Sequence, residues 1–245
     1  MNVPAIGAVV EYQYDWLLVA LSFLIAVLGS YVALYLALDN SAGEKKSLGP
    51  AVALGGCGIW AMHFIGMTAY KTPLRVSYSL LPTLFSLVVV VGITMVGFRI
   101  ALSGAGKLAN LVMGGAVIGT GVVTMHYSGM LAMDIRASFD WHWPTIIASV
   151  VIAVVAATVA LWLAFNVKTT NQRMQAATVM GVAVCAMHYT GMAAASLVCV
   201  TQTPSSNYSI DGGYLPYFVF FLALVALGSS VLDRLLSSQP SRKAL

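Results

Sequence analysis

Charge is what this sequence has least of. Its 245 residues hold only 12 basic and 8 acidic side chains, 8% in all, where a soluble domain carries roughly 25%. With 60% hydrophobic residues and a mean hydropathy of +0.89, a soluble globular domain is excluded and an integral membrane protein remains, its partner the lipid bilayer. The net charge of +4 is small and scattered, which argues against nucleic acid as a partner. Cysteine is sparse too: Cys57, Cys185 and Cys199 form no CxxC pair and are odd in number, so no disulfide framework is expected. No basic residue precedes Glu11, so the basic start of a secretory leader is missing, and the first apolar run is long enough to span and stay.

What is present is a series of long apolar runs. Seven can cross a bilayer: Leu17–Leu38, Pro50–Tyr70, Leu81–Ile100, Leu108–Met133, Thr145–Phe165, Ala176–Val200 and Tyr214–Leu232. Within hydrocarbon each must be helical, because only a helix satisfies its own backbone polar groups. The expected fold is therefore all-α, one seven-helix membrane domain over residues 1–245. The loops indicate its orientation. Lys71, Arg75 and Arg136 fall on the side of the N-terminus, while Lys45, Lys46, Arg99, Lys107, Lys168, Arg173, Arg234, Arg242 and Lys243 fall on the other. Nine against three places the N-terminus outside and the C-terminal tail, 233–245, in the cytoplasm.

Histidine is rare, and its placement is regular. Of four histidines, three lie in one recurring context: Met62-His63-Phe64-Ile65-Gly66-Met67, Met125-His126-Tyr127-Ser128-Gly129-Met130 and Met187-His188-Tyr189-Thr190-Gly191-Met192. The histidines are 63 and 62 residues apart (63 to 126 to 188). Glycine stands seven residues before each (Gly56, Gly119, Gly181) and three after each (Gly66, Gly129, Gly191), the small-residue spacing that lets membrane helices approach closely. The repeat is a two-helix hairpin in direct orientation, about 15–70, 80–133 and 145–200, with the last helix, about 214–232, outside it. All three motifs fall in the outer halves of their helices, so three like units around a pseudo-threefold axis would bring three histidines towards one point.

Residues four apart share a helix face, so His63 with Met67, His126 with Met130 and His188 with Met192 can each offer an imidazole nitrogen and a thioether sulfur. Met62, Met125 and Met187 lie about 100° around the helix, placed for an outer shell or for packing. This soft donor set without carboxylate favours copper. Three imidazoles alone would also hold zinc with an open position, and two would clamp a haem, although threefold repetition matches two axial ligands poorly. Phe64, Tyr127 and Tyr189 read first as packing aromatics and second as a phenol shell around a bound ligand, available in repeats two and three. His142 and the tryptophans beside it read as an outer interface segment. An intramembrane histidine is costly and is by default functional. Three uses fit: a metal-dependent sensor, a copper carrier or chaperone, and an intramembrane zinc hydrolase. The last lacks an acidic general base at motif depth, so the chain is not expected to be an enzyme.

At these residues the chain resembles the bacterial MHYT-domain family, whose four-residue signature Met187-His188-Tyr189-Thr190 matches in full; the other two copies depart at the last one or two places. The resemblance implies a multi-pass sensor of the bacterial inner membrane. It further implies copper near the outer face, a response to O2, CO or NO, and signalling to a cytoplasmic output domain or partner protein.

Overall fold

In a computed structural model the chain is described over residues 4–37, 47–104, 107–201 and 208–237. Lys45, Lys46, Arg242 and Lys243, the side chain of Arg234 and most of the predicted tail lie outside the described residues. Seven long helices form the body: α1 (Trp16–Ala37), α2 (Leu48–Ala69), α3 (Leu80–Ser103), α4 (Leu108–Met130), α5 (Trp143–Asn166), α6 (Thr170–Met192) and α7 (Leu215–Ser237). Six contain a stretch long and apolar enough to cross a membrane. The sixth helix, α6, opens on the polar run Thr170-Asn171-Gln172-Arg173. Large apolar side chains such as Leu81, Val88, Val151 and Phe221 point outward, as a bilayer requires.

Each hairpin packs on the next, so α1 to α6 close into a ring, and the three motif helices α2, α4 and α6 touch one another inside it. The seventh helix stands outside the ring against α2 and α1, which makes α2 the most deeply buried helix.

Several helix ends depart from the sequence expectation; α7, expected over Tyr214–Leu232, continues to Ser237. Helix α6 was placed at Ala176–Val200 but runs from Thr170 to Met192. It starts early because Thr169 Oγ1 accepts from the Gln172 N–H while Gln172 Oε1 accepts from the Thr169 N–H, a capping box that satisfies donors a helix start otherwise leaves open. It stops early because Ala195–Cys199 pairs as a strand with Ala137–Trp141. Helix α4 likewise ends at Met130 rather than Met133, which begins a strand.

Those strands complete the repeat. Short strands β1 (Gln13–Tyr14) and β2 (Tyr70–Lys71), β3 (Ser77–Ser79) and β4 (Met133–Asp134), and β5 (Ala137–Trp141) and β6 (Ala195–Cys199) pair antiparallel. In every repeat the strand before the first helix thus pairs with the strand after the second. The unit is strand–helix–helix–strand, and the strands tie off each hairpin at the end where the motifs lie. A seventh strand, β7 (Ser209–Asp211), adds to β3 alone. Its last residue, Asp211, accepts from the Gly213 N–H and from Arg75, and these two contacts hold its carboxyl below the usual range.

Small residues set the helix spacing where backbones cross. A methyl group on Gly97 would sit 2.8 Å from the Gly114 carbonyl oxygen, and one on Gly114 2.7 Å from the Gly97 oxygen. Of the glycines seven before each histidine, Gly119 lies against the backbone of Val154 and Gly181 against Val27, while Gly56 has ordinary room towards Val91. Gly114→Val is expected to force α3 and α4 apart and cost about 1–3 kcal/mol, read as a lowered thermal midpoint in detergent. Gly228→Ala, with nothing within 4 Å of the added methyl, should leave that midpoint unchanged or raise it.

Candidate metal centre

The three motif histidines come from three helices that share one depth, and they meet. His63 Nδ1 lies 3.1 Å from His188 Nδ1 and 3.2 Å from His126 Nδ1. The rings stand edge to face, with centroids 4.9, 5.0 and 5.2 Å apart. Each histidine is 1% exposed. Among the described residues no carboxylate or thiol joins the cluster.

The outward nitrogen of each ring has an equally regular position. A methyl group on Gly129 would collide with His63 Nε2, one on Gly191 with His126 Nε2, and one on Gly66 with His188 Nε2. Each imidazole is therefore seated in the notch of the next repeat's glycine, one to two, two to three and three to one. The glycines three after each histidine receive a neighbour's ring.

A second set of contacts circulates in the same sense. Tyr127 Oη lies 2.8 Å from Ser149 Oγ, and Tyr189 Oη lies 3.0 Å from Ser22 Oγ. Repeat one has Phe64 where the others have tyrosine, and there Trp60 Nε1 donates to Ser86 Oγ at 3.1 Å instead. Ser22, Ser86 and Ser149 are fully buried, and each also donates to a carbonyl of its own helix. Their spacing, 64 and 63 residues, repeats the histidine period; that signal was available in the sequence and was not used. Phe64, Tyr127 and Tyr189 each set an edge against their own histidine, with centroids 4.7–4.9 Å apart, so the two phenols hold the outer helices while their rings brace the imidazoles.

All six motif methionines are buried. Met187 lines an apolar cavity of about 40 Å3 that is walled by Leu34, Phe98, Ile118 and Leu161, among others. Met67 lines a separate pocket beneath β3 and β7. His142 is remote from the centre, at the start of α5, where its Nδ1 pairs with Thr145 Oγ1 at 2.6 Å. Cys57, Cys185 and Cys199 are all free thiols.

The donor geometry fits a metal ion. Two nitrogens each about 2.0 Å from a tetrahedral ion lie about 3.3 Å apart, close to the 3.1 and 3.2 Å found here. Three neutral imidazoles facing one another through Nδ1 crowd three lone pairs or protons into one point, and a cation at that point takes all three lone pairs. The protons would then sit on Nε2, the atoms that have no other hydrogen-bond partner among the described residues. Gly66→Ala, Gly129→Ala and Gly191→Ala should each push one ring off the centre, lowering the thermal midpoint by the equivalent of about 1–3 kcal/mol. An unchanged midpoint in all three would contradict the seating.

Comparison with known proteins gives this arrangement its context. The sequence pattern called MHYT, described as a bacterial signalling protein N terminal repeat, matches residues 1–49, 56–114, 119–177 and 181–244. The chain is 35% identical over 243 residues to a Pseudomonas aeruginosa protein named bifunctional diguanylate cyclase/cyclic di-GMP phosphodiesterase MucR, covering 94% of this chain and 35% of that one. It is 34% identical over 214 residues to the cyclic di-GMP phosphodiesterase NbdA of the same organism, covering 82% of this chain and 27% of that one. Signaling protein YkoW of Bacillus subtilis is 29% identical over 252 residues, covering 95% of this chain and 31% of that one. The chain thus spans about a third of the length of these relatives, and no solved structure matches it. On four matched repeats that cover nearly all of its sequence, the chain belongs to the MHYT family of bacterial signalling proteins and is a multi-pass protein of the bacterial inner membrane.

Proposed function

We propose that this chain is the sensory module of a membrane signalling protein, built around one copper ion held by His63, His126 and His188. The observation that carries the reading is the convergence of three buried imidazoles, His63 Nδ1 lying 3.1 and 3.2 Å from the Nδ1 atoms of His188 and His126. The absence of carboxylate or thiolate from the cluster among the described residues favours a univalent ion. The donors are neutral, so the whole ionic charge stays in the low-dielectric interior. The cost of burying it rises with the square of the charge, against zinc(II) and for copper(I). Met67, Met130 and Met192, one turn beyond the histidines, would supply soft sulfur close by. Met62, Met125 and Met187, one residue before the histidines, are buried as well.

Copper(I) in such a site would bring affinity for O2, CO or NO, and the apolar cavity beside Met187 offers such a molecule a dry approach. We take the N-terminus and the strand-tied ends as outside, from the distribution of basic residues. The route to the cytoplasm is α7. It packs on α2, the helix that carries His63, beside a crevice of about 440 Å3 lined by Val52, Cys57, Trp60, Val91 and Val219. The same part of α2, Val52–Trp60, is wound as a π-helix, a form common at functional sites and able to shift register. A change at His63 would thus reach α7 through a helix whose winding is irregular where the two pack. The names of MucR and NbdA make cyclic di-GMP turnover the candidate output, in a cytoplasmic domain or partner protein.

A copper carrier is the weaker reading, because the cavity inward of the centre is lined by apolar side chains. A zinc hydrolase is weaker still for want of an acid at the centre. The test is metal analysis of purified protein. The wild type should carry one copper per chain, and the triple variant His63→Ala, His126→Ala, His188→Ala none. Copper retained in stoichiometric amount by the triple variant would sink the proposal.

A further inference from the structure

The centre is buried on every side, so an ion that reaches it must be handed through the protein. Towards one end of the axis lies the apolar cavity, whose side chains offer two thioethers, Met180 and Met187, and no charged group to draw a cation in. Shedding water without replacement costs an ion several kcal/mol, so a loading route must offer donors along its length.

Such a route exists at the strand-tied end. A pocket of about 190 Å3 opens under β3 and β7, with Met67 and Thr68 lining it below and Tyr70, Tyr78, Arg75 and Asp211 around it. Met67 is four residues along α2 from His63, about 6 Å of helix rise, and its side chain is buried. The mouth carries an ion pair: Arg75 reaches Asp211 Oδ2 at 2.9 Å through Nη2 and at 3.3 Å through Nε. The two sides of that pair differ. Asp211 is fixed by the Gly213 N–H at 2.8 Å, whereas the Arg75 side chain is 87% exposed and free to swing into solvent. The pocket is built by β7, which joins the sheet at β3.

We propose that this pocket is the loading port of the metal centre, with Arg75 as a removable cationic gate over Asp211 and Met67 as the residue that passes the ion to His63. The proposal rests on the copper reading above. When Arg75 lies on Asp211 the mouth presents cationic groups, Arg75 and the neighbouring Lys71, and a free cation is repelled. When Arg75 leaves, the fixed carboxylate attracts a cation. The thioether beneath is a soft ligand that binds copper(I) well and sodium or magnesium poorly, so the port also selects. Met130 and Met192, which occupy the same motif position in repeats two and three, do not line the pocket, so their loss affects the centre without touching the port.

The experiment is a time course of copper(I) uptake by metal-free full-length chain in detergent, with a coloured copper(I) chelate as donor. Asp211→Asn is expected to slow uptake about fivefold and Arg75→Gln to speed it about fivefold, the scale of one unit charge at contact distance in water. Both differences should shrink at 1 M salt, and final stoichiometry should match the wild type. Met67→Leu, which keeps the volume and removes the sulfur, should slow uptake about tenfold relative to Met130→Leu and Met192→Leu. Equal rates for Asp211→Asn, Arg75→Gln and the wild type would overturn the port, as would equal slowing by all three methionine variants. A wild-type chain that takes up no copper would instead overturn the copper reading on which the port depends.

Discussion

The seating of each histidine ring in the glycine notch of the next repeat is the contact on which the rest of the bundle depends. An imidazole is too large to fit between two helices at close approach unless one of them presents no side chain at that point. Gly66, Gly129 and Gly191 provide that gap, and because each receives the ring of the preceding repeat, all three rings are seated only when all three hairpins are in place. The same dependence fixes the depth of the motifs, since a helix shifted by one turn would present a methionine or an aromatic to its neighbour's ring. It also explains why the repeat extends over a whole hairpin: the serines on α1, α3 and α5 and the terminal strands hold the outer helices and the ends to the register that the rings demand.

Threefold regularity makes the centre, and several of its exceptions converge on the motif helix of repeat one. Phe64 replaces the tyrosine, and Trp60 takes over the bond to the serine. Helix α2 contains the π-helical stretch, α7 packs on that same helix, and the added strand β7 builds a pocket over Met67. A symmetric centre treats its three ligands alike, so access to it and output from it both need a distinguished ligand. On the proposed reading that ligand is His63, with its port on one side of the bilayer and its connection to α7 towards the other.

Much of this was legible in the sequence. Seven apolar runs located seven helices, because hydrocarbon leaves the backbone no alternative, and the period of the histidines indicated their convergence. The sequence reading failed where local chemistry competed with hydropathy. Ala195–Cys199 is as apolar as a helix end but finds a strand partner in Ala137–Trp141. Thr170–Arg173 is polar yet helical because a capping box starts it. The role of Gly66 could not be read along one helix, since its contact is with His188 from another repeat. The serine triplet was readable at 64 and 63 residues and was hidden by the commonness of serine among so many small residues.

The central claim is that three imidazoles, through Nδ1, hold one metal ion. X-ray absorption on purified copper-loaded protein tests it most directly. The account predicts a first shell dominated by about three nitrogens near 2.0 Å, with the multiple-scattering pattern of imidazole. A first shell dominated by sulfur near 2.3 Å, or one without imidazole scattering, would contradict it.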